Sequence, residues 1–287
     1  MFNADRDQSC QLIGESEAIR RITAEATAAA ALDSSVLLLG EPGTGKSLVA
    51  RWIHQRSRRA PAPLVTLNCS GLPDFLFESE LFGHVRGSFP GAYRDKPGLL
   101  ELAPDGTLFL DSVAELSLPM QAMLARVLES GEIRRVGNEF PHAHVNFRLI
   151  AAAEHDLDVE PGSFDPDLSE CLSATRIVLP PLRERATDIP LLVDFFLDRY
   201  RRRNHTARWT VAPEAMDALI HHPWPGNLRE LKHVVERAVQ LANGAVVRWT
   251  DLPADITRPV APPTLLRPRS ATWSAPGSSP GVGQSSA

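Results

Sequence analysis

Gly40-Glu41-Pro42-Gly43-Thr44-Gly45-Lys46-Ser47 lies between the apolar run Val36-Leu37-Leu38-Leu39 and the stretch Leu48-Val49-Ala50-Arg51-Trp52-Ile53. It fits G-x-x-x-x-G-K-[ST] in the strand, loop and helix setting that this pattern requires. The glycines let the chain wrap closely and aim backbone N–H groups at phosphate oxygens. Lys46 would reach the β- and γ-phosphates, and the Ser47 hydroxyl would ligate Mg²⁺. The stretch predicts a phosphate-binding loop and, with it, a P-loop nucleotide-binding fold.

The rest of the chain is compatible with that fold. Its 287 residues suffice for one large domain or two smaller ones, and 43% hydrophobic with 23% charged residues is ordinary for a soluble globular protein. A formal net charge of -5 supplies no global basic field for nucleic acid. The three cysteines, Cys10, Cys69 and Cys171, are far apart and form no C-x-x-C, which points to a reducing cytoplasm. No apolar run approaches the roughly 18 residues needed to span a bilayer, and the polar stretch from Met1 to Gln11 reads as a short arm, with no signal-peptide pattern.

Outward from the loop, strand and helix patterns alternate. Ile13 to Leu32 has helical spacing, with Ile19, Ile22, Ala26 and Ala29 on one face. Strands are expected at Pro63 to Cys69, Thr107 to Asp111, Val145 to Ala152 and Arg176 to Leu179, and helices at Phe75 to Phe82 and Leu118 to Leu128. Arg56-Ser57-Arg58-Arg59 reads as a solvated helix end, and Glu132 to Gly137 as a small hairpin or loop. With the strand before the loop, this predicts an α/β fold: a five-stranded parallel sheet with helices on both faces. After a hinge at Pro180-Pro181, only helical patterns follow, at Ile189 to Arg202, Ala212 to His221 and Asn227 to Ala242. The expected organisation is an arm over 1–11, a nucleotide-binding domain over 12–180, a helical lid over 181–257 and a disordered Pro/Ser-rich tail over 258–287. Asp111, at the end of an apolar strand beside the loop, is placed to hold Mg²⁺. In the polar loop Gly87-Ser88-Phe89-Pro90-Gly91-Ala92, the phenylalanine is either an anchor packed on the core or a partner contact.

Several stretches together resemble the AAA+ domain of bacterial enhancer-binding proteins, the activators of sigma-54 RNA polymerase. They are Leu12-Ile13-Gly14-Glu15-Ser16, the phosphate loop, Leu67-Asn68-Cys69, Glu80-Leu81-Phe82-Gly83-His84, Gly106 to Asp111, Arg135-Val136-Gly137, Leu179 to Arg185 and Trp224-Pro225-Gly226-Asn227-Leu228-Arg229-Glu230-Leu231. The resemblance implies that Gly40 to Ser47 bind ATP with Mg²⁺ and that Asp111 is the Walker B aspartate. It implies that Asn68 reports the nucleotide state and that Arg229 is the sensor II arginine of the lid. It also implies hexameric rings with sites between subunits, and a surface loop, here Gly87 to Ala92, that engages sigma-54.

The departures from the family pattern share one direction. Ser112 stands where the family has the Walker B glutamate that activates water. Asp165 and Cys171 stand at its two arginine-finger positions, Ala153-Glu154 at sensor I, and Pro90 where the loop has threonine. No stretch resembles a DNA-recognition helix. The reading is an ATP-binding member of the family, involved in transcription regulation, with weak or no hydrolysis. It would act on the sigma-54 holoenzyme or within a homo- or hetero-hexamer with an intact AAA+ subunit. The alternatives are a working activator ATPase and a nucleotide-stabilised scaffold.

Overall fold

The computed structural model describes residues 11–140, 143–157, 162–204 and 208–257. Cys10, the rest of the expected arm and the tail over 258–287 lie outside the described residues. The strands β1 (Val36–Leu39), β2 (Leu64–Asn68), β3 (Thr107–Asp111), β4 (Arg148–Ala153) and β5 (Arg176–Val178) form one parallel five-stranded sheet in the order β2-β3-β4-β1-β5. β1 and β4 are buried along their whole length, which is why, after Arg148 at the start of β4, their sequences are continuous apolar runs and not alternating ones.

Successive side chains leave a strand on opposite faces, so each strand feeds two cores. Val36, Leu38, Phe109, Ile150 and Ile177 meet the helices α1 (Glu17–Ala31) and α2 (Lys46–Arg56) on one face. Leu37, Leu39, Leu108, Leu110, Leu149 and Ala151 meet α3 (Asp74–Phe82), α4 (Leu118–Ser130) and α5 (Pro166–Ser173) on the other. After the 3₁₀ stretch Leu182–Asp188, the helices α6 (Ile189–Asn204), α7 (Pro213–His221) and α8 (Asn227–Leu241) enclose a separate core around Trp224, Leu231 and Val193. Trp224 is fully buried, and its indole N–H donates to Leu219 O at 2.8 Å, so the only polar atom of the ring is satisfied.

Two expectations need correction. The first helix begins at Glu17 and not near Ile13. Ser16 caps it, and Asp188 holds the preceding turn by accepting from Glu15 N and Ser16 N, both at 2.8 Å. Ile13 therefore packs against the helical core behind Leu182 instead of on the sheet. The cluster Arg56 to Arg59 is not a wholly solvated end. Arg56 stacks on Trp52 at 3.2 Å from the ring centroid, and Arg59, with 12% side-chain exposure, pairs with Asp33 at 2.7 Å. The stretch from Glu132 is one arm of a hairpin: Glu132–Ile133 pairs antiparallel with Ala143–His144. No helix among the described residues is long and apolar enough to cross a membrane.

Candidate nucleotide site

Parallel strands point their carboxyl ends to one edge of the sheet, and the connections there form the crevice where such folds bind ligands. β1 ends at Leu39 and the chain turns sharply through Gly40 and Gly43, with φ of 151° and 78°. A Cβ on Gly40 would stand 2.6 Å from Leu179 O, and one on Gly43 would collide with Gly226 O, so side chains are excluded at both positions. α2 then starts at Lys46 with Gly45 as its N-cap and no side-chain cap; Leu48 N and Val49 N donate to Gly45 O, so the amides ahead of them are the ones suited to an external acceptor.

Lys46 is 8% exposed, and its ammonium donates to Gly40 O at 2.5 Å and Glu41 O at 3.2 Å. Burial lowers its pKa, the charges of Asp111 and Glu154 counter that, and Arg229 adds to the lowering. A buried cation satisfied by neutral carbonyl oxygens fits an anion that would take it over. The residues present therefore fit a nucleotide phosphate chain, with the Ser47 hydroxyl and the Asp111 carboxylate as the oxygen donors suited to Mg²⁺.

Asp111 is partly buried and is in register with Asn68 on β2. Asn68 Oδ1 accepts from Ser70 N at 3.0 Å, and Ser70 Oγ donates to Glu115 at 2.7 Å. Glu115 is thus engaged by the β2 loop. Ser112 has φ 59° and ψ 47°, a left-handed conformation that turns the chain into the 3₁₀ stretch Val113–Glu115.

The region behind Leu182 closes on the loop through a clasp. Asn227, fully buried, donates to Pro42 O at 3.0 Å and Glu41 Oε2 at 3.1 Å, and accepts from Leu182 N at 2.7 Å. Arg183 pairs with Glu41 at 2.6 Å and 2.9 Å, Arg185 donates to Thr44 O at 2.9 Å, and Leu228 N donates to Gly43 O at 3.0 Å. Arg229 follows directly, with its Cβ beside Gly43. Arg229 thus stands beside the phosphate loop, and the charges of Asp111 and Arg229 both act on Lys46. Sequence reasoning missed Asn227, Arg183 and Arg185 as site builders. Their signal lay in the two motif stretches around them, read for family and not for contact.

Asp165 and Cys171 stand apart from this group. Asp165 is the N-cap of α5: its carboxylate accepts from Leu168 N at 3.0 Å and its own N–H donates to Gln121 Oε1 at 2.7 Å. Burial, then the nearby acids Glu129, Glu170, Asp167 and Asp165, push the Cys171 thiol up. In the Gly87 to Ala92 loop, Gly87 N donates to Ala92 O at 2.8 Å and closes the turn. Phe89 is partly buried, its ring 4.9 Å from His84 and 6.2 Å from Phe75, while Pro90 and Gly91 are exposed. Ser88 lies under Gly137, whose Cβ would stand 2.6 Å from that of the serine.

Comparison with known proteins agrees with this geometry. The sigma-54 interaction domain family matches residues 12–178, and the AAA+ ATPase lid domain family matches residues 183–264. The chain is 47% identical over 234 residues to the anaerobic nitric oxide reductase transcription regulator NorR of Aeromonas hydrophila, covering 81% of this chain and 46% of that protein. It is 46% identical over 253 residues to the transcriptional regulatory protein ZraR of Klebsiella oxytoca, covering 87% of this chain and 57% of that one. The chain spans about half the length of these curated relatives. Crystal structures of NtrX from Brucella abortus superpose with TM-scores of 0.78 for its complex with ADP and 0.77 for that with ATP, at 34% and 35% identity. These cover 88% and 86% of this chain and 57% of NtrX in each case.

Proposed function

We propose that this chain, which belongs to the sigma-54 interaction domain family, is an ATP-binding transcription regulator with little or no hydrolysis. The observation that carries the reading is a split in the site. Lys46 is buried in the Gly40 to Ser47 loop, Arg229 stands beside Gly43, and the charges of Asp111 and Arg229 both act on Lys46. At the strand end beside it, a serine occupies the place after Asp111, and Glu115 is already engaged by Ser70.

The loop backbone and Lys46 would bind the phosphates, Ser47 and Asp111 would hold Mg²⁺, and Arg229 would add positive charge from the lid. Bound Mg²⁺ would supply charge neutralisation for the phosphate chain. Hydrolysis needs more: a base to accept a proton from water and cationic groups for the developing charge. Ser112 is no base at neutral pH, a loss of roughly 10²–10⁴-fold. The arginine-finger positions hold Asp165 and Cys171, and such arginines contribute ~10³–10⁵-fold elsewhere. The two losses are not multiplied, because such groups act as a unit.

Its partners on this reading are the sigma-54 RNA polymerase holoenzyme, met through the Gly87 to Ala92 loop, or an intact AAA+ subunit in a hexamer, within the cytoplasm. Calorimetry with Mg·ATP and Mg·ADP, paired with a steady-state ATPase assay, tests the reading. We expect binding of both and turnover near background. Brisk turnover by the purified chain would make it a working activator ATPase, and absence of binding to the folded chain would remove the reading altogether.

A further inference from the structure

Glu154 stands at the position that the family resemblance gives to sensor I and has been given no role of its own, yet the sheet places it at the loop. β4 lies between β3 and β1, with Ala153 opposite Leu39 and Ala151 opposite Leu110. Gly40 N donates to Ala153 O at 3.2 Å, so the first residue of the phosphate loop is stitched to the residue before Glu154. Glu154 therefore emerges one step past the point where the Asp111 strand and the phosphate loop flank β4. The turn that carries it is pinned, since Asp156 accepts from Arg176 on β5 at 3.1 Å. Charges on this turn reach the loop: that of Glu154 acts on Lys46, and that of His155 on Glu41. Glu154 itself is exposed at the crevice.

We propose that Glu154 makes this a diphosphate-selective site, by competing with the third phosphate of a nucleoside triphosphate for Lys46. The inference rests on the nucleotide-binding reading above. Lys46 and Arg229 bring positive charge, and Asp111 and Glu154 bring negative charge. A metal ion would answer Asp111, whereas the charge of Glu154 acts on Lys46. Lys46 serves the β- and γ-phosphates together. A diphosphate can claim the ammonium with its terminal group, while a triphosphate adds one more negative charge where a carboxylate already acts. Like charges at short range disfavour one another, and in a crevice they are screened less than on an open surface. A neutral glutamine at this position would impose no such penalty.

The test is calorimetry of Mg·ADP and Mg·ATP with the whole chain, wild type against Glu154→Gln and Glu154→Asp. Wild type should bind Mg·ADP about tenfold more tightly than Mg·ATP, a ratio in keeping with one partly screened charge. Glu154→Gln should close most of that gap by strengthening ATP binding, with ADP affinity held within about twofold. Glu154→Asp should keep the preference. Binding of both nucleotides with a ratio that Glu154→Gln leaves unchanged would overturn the selectivity role and leave the nucleotide-binding reading intact. Failure of the folded wild type to bind either nucleotide would remove both. A turnover that wild type shows and Glu154→Gln loses, with ATP affinity unchanged, would make Glu154 a proton acceptor and overturn the competition.

Discussion

The loop between β1 and α2 and the strand end at Asp111-Ser112 belong to the same edge of one sheet, but they are built differently. The loop is shaped by backbone: Gly40 and Gly43 admit no side chain, and the lid presses Gly226, Asn227 and Leu228 against it. The groups that hydrolysis would need are single side chains on separate elements, after β3 and on α5. Asp165 has a structural use as the cap of α5, and Ser112 holds a tight left-handed turn. Binding and turnover are therefore separable in this architecture. A cradle that doubles as a structural joint resists change, whereas catalytic side chains at its rim can be exchanged at little cost to the fold.

The largest effect should come from the cradle. Lys46→Ala removes the buried ammonium that the loop itself carries, and Mg-dependent nucleotide affinity should fall at least about a hundredfold, read by calorimetry. Retained affinity would mean that backbone amides alone hold the phosphates. Next comes the joint. Asn227→Ala leaves Leu182 N and Pro42 O without their partner and puts alanine at φ 52°. Stability should drop by about 3 kcal/mol, seen as a lower urea midpoint. A loss below about 1 kcal/mol would mean that the lid and the loop are not mechanically joined through this residue.

The rim should respond less. Ser112→Glu restores one carboxylate at a backbone position that already accepts a non-glycine residue, but it leaves Asp165 and Cys171 in place. Turnover should rise by less than about tenfold, and a rise of a hundredfold or more would show that the serine alone silences the site.

The sheet, its five strands and the lid helices were legible because buried parallel strands are continuous apolar runs and the helices carry clear periodicity. The phosphate loop was legible because glycine spacing and Lys46 have one common use. The clasp was not. Asn227 is remote in sequence from Glu41, and nothing local says that its amide reaches the loop. Nor was the start of α1, where Asp188 captures Ser16 across the whole nucleotide-binding segment. Arg59 read as a solvated charge because Asp33, its partner, lies before the strand that brings the two together.

The smallest effect concerns the exposed half of the clasp and its pH dependence. The Glu41 carboxylate is held down from 4.5 to about 2, first by the Arg183 hydrogen bond and then by that from Asn227. A folded-state value below the unfolded one means that this contribution is fully present above about pH 4.5 and is lost as pH falls toward about 2. Both side chains are a third or more exposed, at 45% and 35%. Solvent and salt screening should therefore cut the contribution to about 0.5–1 kcal/mol. Urea unfolding at pH 7 and pH 3 should show wild type losing somewhat over half of that amount more than Glu41→Gln, since pH 3 is still above the folded-state value, with the difference shrinking in high salt. Equal acid sensitivity of the two chains would mean that Arg183 and Glu41 meet without holding the lid, and that the joint rests on Asn227, Arg185 and the backbone contact of Leu228.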